Sequence, residues 1–367
     1  MRVFVRWVLT AVALLGLALV AASCGGREIA TAGSGPINGQ LTIAAAPGYR
    51  DLDHDRTARG FEASTGVAVA LRDVSAPAGK YLDELETMLD RGDPGDRSIL
   101  LVSDWMAKRL YDGGFAQEID HEDLPTVFKN LQPGLRSPAF DPERRFSVPL
   151  QGNMTGLWIN TKRADFDSVV EFFDPDIAGK VTMLADMREW TPIVMLAERQ
   201  EPVTAPASAW LSAIRRIKIG EEVGQIRSLT QTEYAKGLNS GKLIAAVGRS
   251  VDAPLMDNPD VEWVKPAQGC ELSSLNMVIP VGAPNTAAAL AWMDYVYRPE
   301  VAADITERLV GVSPVKGVKN VLEARESQLA QDPLVFPSRE IIDDCTDQPI
   351  APDPKRLSRA WRKRWTE

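Results

Sequence analysis

Histidine is almost missing from this chain: there are two, His54 and His121, in 367 residues. Neither falls in a metal-ligand spacing, and no Ser or Cys stands in a nucleophile motif. The commonest general base and metal ligand is thereby scarce, and the expectation is a protein with no catalysis, no cofactor and no metal. Cysteine is scarce as well, at three residues, Cys24, Cys270 and Cys345. Basic residues are outnumbered by acids, 41 to 50, for a formal net charge of −9. Such a chain is a poor partner for nucleic acid, whose binding rests on cations against phosphate. Beyond the amino-terminal segment no stretch offers the roughly 20 apolar residues that a spanning helix needs.

That segment is distinctive. Arg2 and Arg6 precede an apolar run from Trp7 to Ala22, the pattern of a secretory signal. The run ends in Ala21-Ala22-Ser23-Cys24-Gly25-Gly26. Small residues before a cysteine resemble the bacterial lipobox, in which the thiol is acylated, although Ala21 stands where Leu or Val is usual. An ordinary signal peptide with an incidental cysteine is the alternative. The expectation is a signal peptide over 1–23 and a lipid anchor on Cys24 at the extracytoplasmic face of the cell membrane. Residues 24–37, rich in Gly, Ser and Ala, are expected to form a flexible linker. Cys270 and Cys345 then lie where disulfides persist. Their even count permits one bridge, and two separate buried thiols is the other reading.

The rest of the chain is long enough for about two domains. Leu41-Thr42-Ile43 starts a strand, and a helix over 52–64 stops at Thr65-Gly66, where Gly takes a left-handed cap easily. Val67 to Leu71 reads as a buried strand. Residues 78–91 return to helical period, with Tyr81, Leu82, Leu85, Met88 and Leu89 on one face. Ser98 to Val102 is a further buried strand. Extended segments are expected at 148–150 and 157–160, around a polar Gln151-Gly152-Asn153. Strands at 179–184, 243–247 and 275–281 and helices at 207–217 and 285–297 continue the alternation. The rhythm predicts an α/β fold with mostly parallel sheets covered by helices. The carboxyl-terminal tail, 354–367, is basic and aromatic.

Several segments resemble the spermidine/putrescine branch of the solute-binding proteins of ABC importers. They are Phe61 to Val67, Phe146 to Leu150 with Gly156 to Asn160, Leu184 to Glu189, and Tyr297 to Ala302. Their order and spacing span nearly the whole chain beyond Leu41. The resemblance implies a two-lobe periplasmic-binding-protein fold with a hinge and an interlobe ligand cleft. Lobe one would take 38–152 plus 276–318, and lobe two 153–275 plus 319–367. It also implies a small amine ligand and ABC permease subunits as partners. It places the segments around Cys270 and Cys345 near the hinge, where a bridge is expected. A sensing lipoprotein, or a binding protein for an amino acid, monoamine or iron complex, are the alternatives.

An organic cation needs carboxylates to replace its hydration and aromatic faces along its methylenes. Asp186 and Glu189 match the family's two carboxylates in the second lobe. Asp-x-x-Glu at a helix start is also a capping pattern, and the two roles can coexist. Ser103 and Trp105 sit just past a strand, at the end where clefts form in α/β sheets. Tyr49 and Phe336 match family aromatics. The family's tryptophans fall here near Ala46, Val247 and Ser273, and its third carboxylate near Leu275. Glu271 is close enough to stand in for that carboxylate if the register shifts. An amine with fewer positive charges than spermidine is therefore expected.

Overall fold

The computed structural model describes residues 30–33, 35–46, 56–74 and 78–362. The expected signal peptide, Cys24 and Tyr49 lie outside the described residues. Ten strands are described: β1 (Gln40–Ala45), β2 (Ala68–Asp73), β3 (Ile99–Ser103), β4 (Val148–Asn160), β5 (Val181–Leu184), β6 (Ile226–Thr230), β7 (Ala245–Arg249), β8 (Val261–Val264), β9 (Glu271–Val278) and β10 (Thr346–Asp347). They form one sheet in the order β2-β1-β3-β9-β4-β7-β5-β6, with β10 beside β9 and β8 beside β4. At one end β1 pairs in parallel with β2 and β3, and at the other β5 pairs in parallel with β6 and β7. The antiparallel pair of β4 and β9 joins the two parallel halves.

Helices α1 (Arg56–Thr65), α2 (Ala78–Asp90), α3 (Asp104–Asp112) and α4 (Pro125–Asn130) belong to the first half. Helices α5 (Met187–Ala197), α6 (Ala207–Glu222) and α7 (Tyr234–Asn239) belong to the second. The chain then returns to the first half through α8 (Thr286–Tyr295), α9 (Pro299–Leu309) and α10 (Val318–Ala324), and closes with α11 (Arg339–Asp343) and α12 (Pro354–Arg362). Period-two alternation divides the first half into two layers. Leu41, Ile43, Ile99 and Leu101 face a core with Phe61, Trp292 and Ile305. Ala44, Leu100 and Val102 face Tyr81, Leu85, Trp105 and Phe146 on the other side. The second half packs Leu157, Val181, Met183, Trp190, Trp210, Tyr234 and Val247 into a core of its own. Glycine ends α1 as its backbone freedom suggests: Gly66 has φ of +75° and donates its N–H to the Glu62 carbonyl at 2.7 Å.

Strand β4 carries the chain from one core to the other, with Val148 and Leu150 in the first and Leu157 and Ile159 in the second. The two extended segments expected around Gln151-Gly152-Asn153 are thus a single strand. Gly152 sits there because Val312 crosses it closely. The two exchange backbone hydrogen bonds of 2.8 and 3.0 Å, and a Cβ on Gly152 would meet the Val312 Cβ at 3.0 Å.

Three expectations are corrected. Residues 30–32 are not free tether: Ala32 is buried in the first core and donates to the Glu118 carbonyl at 2.7 Å, and Glu118 donates back to Ala30 at 2.9 Å. Residues 319–330 do not belong with the second lobe, because Leu322 and Ala330 pack in the first core beside Val318. The apolar run near Val67 is not a fully buried strand. Among the described residues β2 is the sheet edge, paired with β1 alone, and its residues are half-buried or exposed.

Candidate functional site

The two cores leave a polar seam where β4 and β9 cross, and the side chains singled out by sequence mostly converge there. Ser103 ends β3 opposite Leu275 of β9. Its Oγ is buried without a hydrogen-bond partner among the described residues. The next residue, Asp104, opens α3. Its buried carboxylate accepts the Ser274 N–H at 3.0 Å and the Asn276 Nδ2 at 2.7 Å. Burial raises its pKa to about 6, although those two hydrogen bonds and Arg144 act against the rise. This contact ties the start of α3 to β9 and so fixes Trp105, which is 9% exposed.

Asp186 caps α5 by accepting the Arg188 N–H at 3.0 Å. Its two oxygens also accept from Arg188 Nη1 at 2.6 and 2.8 Å. The guanidinium so held lies 3.8 Å over the Trp105 ring, from the opposite lobe. A Cβ on Gly79 would stand 3.5 Å from Arg188 Nη2, so the first turn of α2 closes the same corner. Glu189 does not turn back to complete a capping box. It faces Arg249 at the end of β7, accepting from Nη2 at 2.7 Å and from Nε. Arg249 also lies 3.7 Å from Asp252, whose other contact is the buried Tyr234 hydroxyl. Burial opposes the charge on Arg249, but Glu189 and Asp252 outweigh it and hold its pKa above the ordinary value. Burial in turn pushes the Glu189 carboxyl above its ordinary value, against the charge and hydrogen bonds of Arg249.

At the floor of the seam lies Glu271, the first residue of β9 and fully buried. Gln348 donates to it at 2.9 Å, while Ser273 stands 3.5 Å from its other oxygen. Burial raises its pKa to about 8; hydrogen bonds from Thr155 and Gln348 lower it, and the charges of Glu189 and Asp104 raise it. Asn153 and Ser250 extend this polar floor. Cys270 and Cys345 form a disulfide, with Cα atoms 4.4 Å apart. It fastens the starts of β9 and β10, which pair in parallel from Glu271 and Thr346.

The structure therefore brings Ser103, Trp105, Asp186 and Glu189 to one interlobe region. Phe336 is placed differently: its ring packs on the first core with the Lys319 ammonium 6.0 Å from its centroid. Leu275 is half-buried against that same core. Sequence reading missed Asp104, Arg188, Arg249 and Gln348. Arg188 was visible between the two acids, but its stacking partner comes from another lobe. Arg249 follows an expected strand at its carboxyl end, the one signal that could have found it.

Two helix-covered parallel half-sheets, joined by crossing strands around a buried polar seam of acids, amides and a tryptophan, define a two-lobed solute-binding protein. The chain belongs to the bacterial extracellular solute-binding protein family, which it matches over residues 57–337. It is 25% identical over 293 residues to spermidine/putrescine-binding periplasmic protein 1 of Haemophilus influenzae, covering 77% of each chain. Its fold is similar to that of the spermidine/putrescine ABC transporter substrate-binding protein PotD of Streptococcus pneumoniae, with a TM-score of 0.73 and 18% identity over 89% of this chain and 98% of the other. The TpPotD lipoprotein of Treponema pallidum gives a TM-score of 0.73 at 17% identity, again over 89% and 98%. Membership makes the chain an extracytoplasmic binder of small molecules rather than an enzyme. Among the described residues no helix is long and apolar enough to cross a membrane.

Proposed function

We propose that this protein is the solute-binding component of an ABC importer, that it captures a polyamine or related small amine in the interlobe cleft, and that it delivers the amine to a membrane permease. The observation that carries this reading is the gathering of Asp186, Glu189 and the buried Glu271 between two separately packed lobes, with Trp105 joined to Asp186 through Arg188 and to Glu271 through Gln348. Carboxylates and an aromatic face are what a desolvated ammonium on a hydrocarbon stem requires. The polyamine-binding relatives support the ligand class. A lipid on Cys24 would hold the protein at the membrane near its permease, with 1–23 removed as a signal peptide. Lobe one would comprise 38–152 with 276–330 and the side chain of Phe336, and lobe two 153–275 with the carboxyl-terminal segment that holds Ala351 and Leu357.

A thermal-shift screen over polyamines, monoamines, amino acids and sugars tests this reading. Ligand that binds only the folded state raises its melting temperature by mass action. The expected result is a concentration-dependent rise with an amine and none with a sugar. A rise with a sugar alone would overturn the amine assignment.

A further inference from the structure

We propose that the natural solute carries a carboxylate as well as an ammonium, so that it is a zwitterionic amine rather than a di- or tri-cation. The inference rests on the amine reading above and narrows it.

Both carboxylates assigned to the ammonium in the second lobe already have guanidinium partners. Asp186 holds Arg188 at 2.6 Å, and Glu189 holds Arg249 at 2.7 Å. A cation entering this wall meets paired charges. To take Asp186 for itself it must displace Arg188, which is also stacked on Trp105. The aromatic face that would line a second ammonium is thus occupied by a cation of the protein. Like charges brought together in a desolvated cleft repel strongly.

The same corner suits an anion. Arg188 uses Nη1 for Asp186, and its Nε and Nη2 donate to no acceptor among the described residues. A guanidinium has a planar fork that matches a carboxylate. The first turn of α2 adjoins Nη2 at Gly79, the second residue of a 13-residue helix. The leading N–H groups of a helix have no partner inside it, and its amino-terminal end favours negative charge.

The ammonium end has its own place. Glu271 lies on the floor with Gln348, Thr155 and Ser273 as hydrogen-bond partners and no cation of its own among the described residues. It feels the charges of Glu189 and Asp104, from the two lobes. A single arriving ammonium would favour the ionised carboxylate over the protonated one and give it the countercharge that its surroundings lack. Leu275, opposite Ser103 on β9, offers no carboxylate for a second one. The cleft then offers one acid without a cation and one guanidinium with spare donors, the complement of a molecule with one charge of each sign.

Calorimetric titration of the mature protein with matched series tests this: α,ω-diamines, ω-amino acids, monoamines and monocarboxylates of three to six carbons. The expected result is that an ω-amino acid binds at least about tenfold more tightly than the diamine, monoamine and monocarboxylate of equal length, since every tenfold is only about 1.4 kcal/mol. Arg188→Gln should weaken the amino acid at least about tenfold and strengthen the diamine, because Asp186 is freed. The unmodified protein alone decides the matter if that variant does not fold. A diamine or spermidine that binds more tightly than every zwitterion overturns the inference and leaves the amine reading standing. Binding of a sugar with no response to any amine overturns both.

Discussion

The Arg188 guanidinium of one lobe lies 3.8 Å over the Trp105 indole of the other. The contact spans the cleft, so the lobes are held together by a side chain that is itself oriented by Asp186. A cation–π contact of this kind is worth about 0.5–2 kcal/mol. Trp105→Ala should therefore shift the ligand-free protein toward open forms by a few-fold to about thirtyfold. Small-angle scattering checks this: the radius of gyration should rise in the variant. An unchanged value would show that other contacts close the lobes.

Glu271 gives the fold a pH dependence of stated sign. The carboxyl titrates near 4.5 in the reference state and near 8 when buried. Between those values the folded state keeps a proton that the unfolded chain has lost, so stability falls as pH rises. Asp104, raised to about 6 by its own burial, adds to the fall at the lower end. At about 1.4 kcal/mol per unit, Glu271 accounts for a loss on the order of 4 kcal/mol by pH 8. Urea unfolding between pH 5 and 8 (a range of roughly three units) should show this slope, and Glu271→Gln should flatten it. A slope that survives the substitution would assign the effect elsewhere.

Arg249 neutralises Glu189 and lies near Asp252, in a region that is mostly withdrawn from water. Arg249→Met leaves those carboxylates uncompensated and should cost about 3–5 kcal/mol. Replacing Arg249 and Glu189 together by Met should cost less than the single change, since a pair removed whole leaves a smaller uncompensated charge. Denaturant titration of both variants tests the order. If the single variant is the more stable of the two, the pairing does not carry the charge balance.

The disulfide of Cys270 and Cys345 links positions 75 residues apart in the chain. Replacing both by Ser should lower stability by about 2–4 kcal/mol, chiefly through a freer unfolded chain. Intact mass with and without reductant should differ by two hydrogens after alkylation controls. Equal masses for protein secreted by its own host would contradict the bridge.

The anchor is tested in cells. Cys24→Ser should release the mature protein from membranes, as no described helix could hold it there. Variant protein that still pellets after a salt wash would remove the lipid from the account.

Much of the fold was legible because its signals are local. Tyr81, Leu82, Leu85 and Leu89 lie on the buried face that their spacing gives α2, and Thr65-Gly66 ends α1. β2 was misjudged because an apolar run does not reveal which strand is the sheet edge. The lobe boundary after Val318 was misplaced for a similar reason, since α10 is amphipathic whichever core receives it. In the site, residue types were readable and partners were not. Asp186 and Arg188 are two apart, a spacing that does not pair on a helix face, yet the cap residue has extended backbone and reaches back. Glu189 and Arg249 are 60 residues apart and meet only through the sheet. Glu271 became a site residue through strand register, which sets it opposite Thr155 and Thr346.

The central claim is that an amine is bound between the lobes, and a crystal structure of the mature protein with its tightest-binding amine tests it most directly. The account predicts the ligand between the lobes, with its ammonium within hydrogen-bond distance of Glu271. An amine bound with this carboxylate untouched, for instance in the surface hollow of about 390 Å³ beside Phe173 and Arg216, would contradict it.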